Sequence, residues 1–120
     1  ICTTELAAEL AAVMIAVQSA GAATYLTDFT DNEAARAAAT RGTSTAPAMA
    51  PLAHAIAIVV STASRALRTL RVTTKENAIA DALSRDGDDG PLLAAVEAAG
   101  GRAVRVAVPS RVWELVHDML

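Results

Sequence analysis

The chain has 120 residues, 53% hydrophobic and 19% charged, a balance that excludes a disordered polymer and fits one folded domain with a modest core. Its formal net charge of -3 excludes a general electrostatic pull toward nucleic acid, so binding of that kind needs a local basic face. The single cysteine, Cys2, excludes an internal disulfide and points to a reducing compartment.

Much of the apolar content is alanine, which favours helices but buries little area per residue, and Tyr25, Phe29 and Trp113 are the only aromatics. The most apolar windows, residues 11–17 and 53–60, are too short to span a bilayer, and no basic segment precedes an apolar run. The expectation is an intracellular protein, cytoplasmic or nuclear, with no membrane partner. The chain opens at Ile1 just ahead of a helical pattern and reads as a piece of a longer polypeptide.

Leu6, Leu10, Val13, Met14 and Val17 recur at helical spacing, which predicts a first helix from Thr3 or Thr4 to about Ser19, stopped by Gly21. Residues 24–30 alternate, with Tyr25, Thr27 and Phe29 on one side and Leu26, Asp28 and Thr30 on the other, a strand ending at Asp31. Asn32 is placed to cap a short helix through Thr40, with Gly42 where a left-handed residue is wanted. A proline-containing loop over residues 43–51 then feeds a longer, largely apolar helix reaching about Ala66.

Residues 67–73 alternate again and predict a second strand, followed by a helix from Asn77 to Ser84. Residues 86–90 form an acidic, glycine-containing linker. Pro91 opens a helix to Ala99 that Gly100-Gly101 ends, residues 102–108 read as a strand, and Ser110 caps a last helix with Trp113 as its packing anchor. The class is α/β, taken as one domain over residues 1–120 with 86–90 as an internal linker.

Three acids stand where α/β folds gather function: Glu5 on the first helix, Asp31 at the carboxyl end of the first strand, and Asp81 in the opening of the helix after the second strand. A hard cation such as Mg²⁺ takes oxygen ligands from separate elements, and carboxylates drawn together without it would repel. Spacing alone leaves open whether the three converge, because acids in a first helical turn also serve the helix dipole.

The run Thr30-Asp31-Asn32 with Ala34-Ala35, then Arg41-Gly42-Thr43-Ser44, then Lys75-Glu76-Asn77 and Ala80-Asp81-Ala82-Leu83-Ser84-Arg85, resembles the ribonuclease H domain of retroelement reverse transcriptases in order and separation. The opening Thr4-Glu5-Leu6-Ala7-Ala8 is similar to the first-helix segment of that family, and the resemblance covers roughly residues 1–85. It implies a truncated ribonuclease H-like fold, a mixed sheet flanked by helices, lacking its first strands. The implied activity of the intact parent is metal-dependent hydrolysis of the RNA strand of RNA–DNA hybrids, with two Mg²⁺ ions, Mn²⁺ being the alternative ion.

By the same resemblance Glu5, Asp31 and Asp81 are catalytic metal ligands, while Asn32, Arg41, Ser44, Lys75, Asn77 and Arg85 are contacts to the hybrid. A polymerase region upstream in the same polypeptide is the implied partner. The family's further aspartate, which bridges both metals, belongs to a strand before the first helix, and these 120 residues do not contain it. Glu9 shares a helical face with Glu5 but lies on no strand and is not its substitute. Thr74 stands where the family usually has glycine.

Two ions about 4 Å apart depend on such a bridge, so the chain alone is expected to turn over little hybrid. The competing expectation is a catalytically inactive connection module that packs against a polymerase. The remaining polar residues read as structural: His54 as a helical histidine, Asp28 as an exposed strand residue, and Arg65, Arg68 and Arg71 as an exposed basic face. Asp86, Asp88 and Asp89 lack the other ligands of a calcium loop.

Overall fold

Parallel pairing of two short strands organises the first part of the chain. A computed structural model describes residues 2–19, 25–63, 65–73, 90–102 and 106–117. Their elements are α1 (Cys2–Ser19), β1 (Tyr25–Thr30), α2 (Glu33–Arg41), α3 (Ala50–Thr62), β2 (Ala66–Arg71), α4 (Gly90–Ala98) and α5 (Ser110–His117). Two compact units result, one of Ile1–Arg71 with Val108–Leu120 and one of Val72–Ala107. No helix among the described residues is long and apolar enough to cross a membrane.

β1 and β2 pair in parallel, in register from Tyr25 opposite Ala66 to Thr30 opposite Arg71. Parallel neighbours need a crossover, and α2 with α3 supplies it. The pleat sends Leu26, Asp28, Thr30, Leu67 and Thr69 to the helical side and Tyr25, Thr27, Phe29, Ala66 and Arg68 to the other. Tyr25 is 79% exposed and Phe29 55%, so that second face is open.

The core sits on the helical side. Leu6 and Leu10 of α1, Leu52 and Ile56 of α3 and Val112 of α5 are buried in one cluster, with Ala35, Ala38 and Ala39 as the inward face of α2. Small side chains on α2 let its backbone approach its neighbours closely. Each fully buried leucine or isoleucine contributes about 1.5–3 kcal/mol through apolar surface removed from water.

Local chemistry fixes the ends of α2. The Asn32 side-chain oxygen accepts the Ala35 N–H at 2.9 Å, and the Asn32 N–H donates to Thr30 Oγ1 at 3.2 Å. At the other end Gly42 has φ of 72° and donates its N–H to Ala38 O at 2.9 Å, the left-handed cap that glycine adopts without strain. Pro51 lies in the first turn of α3, where a missing N–H leaves no bond unmade. In the second unit α4 ends at Gly100, whose N–H reaches Glu97 O at 2.9 Å.

The α/β class, α1, β1, α2, β2 and α4 fall close to their expected places. Four expectations are corrected. The third helix stops at Thr62 rather than near Ala66, because the β-branched run at its end is a weak helix former and the Arg65 N–H closes back on Val60 O at 2.9 Å, freeing Ala66 to pair with Tyr25. Arg102 and residues 106–108 lie in no strand: Val106 and Val108 are exposed, and no described strand pairs with them.

Trp113 is not the anchor of the last helix. It is 61% exposed, while Val112 is the residue of α5 turned into the core. Arg68 and Arg71 are both exposed but do not share one face, since an odd separation along β2 puts them on opposite sides. The expected helix over residues 77–84 and the linker up to residue 89 lie outside the described residues.

Urea unfolding separates these contributions. Val112→Ala is expected to lower stability by about 2 kcal/mol through lost burial, and Trp113→Ala by less than about 1 kcal/mol. Gly42→Ala is expected to cost about 1–2 kcal/mol, since it forces a Cβ into a left-handed conformation, and that Cβ would stand 3.2 Å from the Ala57 Cβ.

Candidate functional site

α1 runs back across the helical side of the sheet. Ala12, Val13 and Ala16 border the same cleft as Leu26, Asp28 and Leu67, and farther along Glu9 meets the influence of Asp28 and Thr69. One turn nearer the N-terminus, about 6 Å along the helix, stands Glu5. Two residues beyond Asp28, about 7 Å along the strand, β1 ends, and Asp31 follows. Glu5 thus lies in the first turn of α1 and Asp31 just past the end of β1. Both are partly exposed.

The corner that holds Asp31 is built from its neighbours. Thr30, buried at the end of β1, accepts the Asn32 N–H, and Asn32 both caps α2 and accepts the Arg36 N–H at its carbonyl at 3.0 Å. Glu33 opens α2 with a carboxylate gripped by Arg36, Nε to Oε2 at 2.8 Å and Nη2 to Oε1 at 2.5 Å. Those hydrogen bonds, then the charges of Arg36 and Arg71, hold the Glu33 carboxyl below its usual range against partial desolvation.

The other expected contact residues have structural occupations. Asn32 spends its side-chain oxygen on the cap. Ser44 Oγ accepts the Ala46 N–H at 3.1 Å and shapes the loop before α3, while Thr43 Oγ1 lies 3.2 Å from His54 Nε2. Arg41 is exposed at the end of α2 beside a small cleft of about 190 Å³ that also includes Gly42, Ser61 and Leu67. Asp81, Lys75, Asn77 and Arg85 lie outside the described residues.

Glu5 and Asp31 are hard oxygen donors of the type Mg²⁺ prefers, so the chemistry of the two fits such an ion. Among the described residues no group of three or more acids, histidines or cysteines gathers closely enough to hold a metal. A third ligand would have to come from elsewhere, and Asp81 is the residue the sequence offers.

A buried pair of acids was missed in the sequence. Glu9 is only 5% exposed, and both of its carboxylate oxygens are buried without a hydrogen-bond partner among the described residues. Asp28 Oδ2 and Thr69 Oγ1 share that condition, and the strand register sets Asp28 directly opposite Thr69. Asp28 is thus corrected from an exposed residue to one facing the helix. Burial first, then the contact and charge of Asp28 and the charge of Glu5, push the Glu9 carboxyl up to about 8, with the Thr69 hydroxyl pulling the other way. The signal was present: Glu9 falls on the apolar stripe between Leu6 and Val13, and Asp28 shares the parity of Leu26 and Thr30.

Comparison with protein-family models, curated proteins and solved structures finds no match in any of the three.

The Glu33–Arg36 grip has a testable sign. An acid held below its ordinary value of 4.5 contributes stability above that pH and loses it as the pH falls through the lowered value. Unfolding curves at pH 6 and pH 3 are expected to show an acid loss that is smaller in Glu33→Gln and smaller in high salt, because the pair is solvent-exposed.

Proposed function

We propose that the chain is a fragment of a ribonuclease H-like domain of a reverse transcriptase, whose intact parent hydrolyses the RNA strand of RNA–DNA hybrids with Mg²⁺. The observation that carries this reading is the disposition of Glu5 and Asp31. One lies in the first turn of α1 and the other just past the end of β1, and both are partly exposed. Strand ends beside helix termini are where α/β folds place reactive groups.

Glu5, Asp31 and Asp81 would hold the ion. When bound it lowers the pKa of water and neutralises charge building on the phosphate. The chain's own residues position and bind. The Thr30–Asn32 corner fixes the backbone on both sides of Asp31, and the exposed guanidinium of Arg41, on the element after that corner, is available to phosphate oxygens. Lys75, Asn77 and Arg85 are proposed as further contacts on the strength of the motif they belong to. The polymerase region of the same polypeptide is the proposed partner, in a cytoplasmic or nuclear setting.

A second reading is favoured by one observation. The sheet face bearing Tyr25 and Phe29 is open, whereas parallel sheets ordinarily have both faces covered. A catalytically inactive connection module packed against a polymerase would use such a face and would need no bridging aspartate.

The test is cleavage of an end-labelled RNA–DNA hybrid in Mg²⁺ by this chain and by the longer reading frame that contains it. Little cutting is expected from the chain alone. The longer protein is expected to cut, and Glu5→Gln or Asp81→Asn in it to lower the rate about 100-fold or more, since each removes a carboxylate whose ion supplies several kcal/mol of charge stabilisation. A longer protein that binds the polymerase region and cuts no hybrid supports the connection module instead.

A further inference from the structure

We propose that Glu9 and Asp28 share one proton, and that this proton, together with the Thr69 hydroxyl, clamps α1 onto the β1–β2 sheet and makes the seating of that helix depend on pH. The inference stands apart from the nuclease reading, because it needs no metal and no substrate.

Its basis is a set of unmet polar atoms. Both Glu9 oxygens, Asp28 Oδ2 and Thr69 Oγ1 are buried, and none has a hydrogen-bond partner among the described residues. They come from three elements, α1, β1 and β2, and Asp28 and Thr69 are paired across the strands. A buried carboxylate left without a donor is costly, and two adjacent carboxylates in a poorly solvated site cannot both ionise. One proton supplies the missing donor: the Glu9 carboxyl gives an O–H to Asp28, and the Thr69 hydroxyl donates to a remaining oxygen.

Among the described residues the groups acting on Glu9 are Asp28 from β1, Thr69 from β2 and Glu5 from its own helix, and none of these is positively charged. Arg65, just before β2, is the cationic residue whose Nε is likewise buried, and it is not among the groups acting on Glu9. The buried side chains that α2, α3 and α5 contribute to this core are apolar.

The sign follows from proton counting. Glu9 keeps its proton to about pH 8 in the folded chain, whereas a free glutamate loses it near 4.5. Between those values the folded state binds the extra proton, so stability is highest at the acid end of the window and falls as pH rises. The folding equilibrium constant drops by up to about tenfold per pH unit across it, then levels off. Above the window α1 is held by its apolar face, Leu6, Leu10 and Val13 above all, against a repelling acid pair.

The experiment is urea unfolding of the chain and of its Glu9→Gln variant between pH 4.5 and 9. The glutamine keeps a neutral donor against Asp28 at every pH, so the ratio of the two folding constants is expected to change with pH as stated, the variant gaining on the native chain up to pH 8. A ratio independent of pH overturns the proposal. Should Glu9→Gln fail to fold, ¹³C NMR titration of the Glu9 carboxyl in the native chain decides. A midpoint near 8 that moves down in Asp28→Asn supports the shared proton, and an ordinary glutamate midpoint, or one unmoved by Asp28→Asn, overturns it. Mg²⁺ or Ca²⁺ stabilising the native chain at pH 9 but not Glu9→Gln would assign the site to a metal ion and overturn it equally.

Discussion

The seating of α1 on the sheet is the constraint from which the other features of the first unit take their places. Leu6 and Leu10 are fully buried, and they settle against Leu52 and Ile56 of α3. Once that apolar stripe is turned inward, helix geometry decides what else is carried with it. Glu9 enters the core because it lies on the same face, and Glu5 stands a turn earlier, partly exposed. One packing choice thus places a candidate ligand and buries an acid.

The corner between β1 and α2 is the second fixed point, and it is made of short polar side chains. Thr30 and Asn32 satisfy backbone N–H groups that the end of a strand and the start of a helix would otherwise leave unpaired. Asp31 sits between them, so its backbone is held on both sides by bonds that do not involve its carboxylate. The backbone at Asp31 is thereby fixed by its two neighbours. The motif Thr30-Asp31-Asn32 therefore has a folding role regardless of its chemistry.

Among the described residues the core is thin. Alanine supplies the inward face of α2, and the large buried side chains are few, so helices approach closely but gain little area from each contact. A sheet of two strands is not stable by itself in water, and among the described residues helices cover one of its faces. The stability of β1 and β2 therefore derives from α1, α2 and α3 lying on their helical side, and weakening α1 would be felt throughout the unit.

The local features were legible in the sequence because each is decided within a few residues. Asn32 as a cap, Gly42 as a left-handed stop, and the alternation of residues 25–30 depend on short-range sterics and hydrogen bonding, and these elements form near their expected bounds. Of the candidate site, the sequence supplied Glu5 and Asp31 and the elements that bear them. Only the tertiary structure decided that α3 yields Ala66 to strand pairing, that residues 106–108 form no strand, and that Val112 rather than Trp113 enters the core. It alone put Glu9 against Asp28. Each of those outcomes depends on a partner distant in the chain, and burial, which sets both packing energy and the cost of a charge, is a property of the assembled neighbours and not of any local stretch of residues.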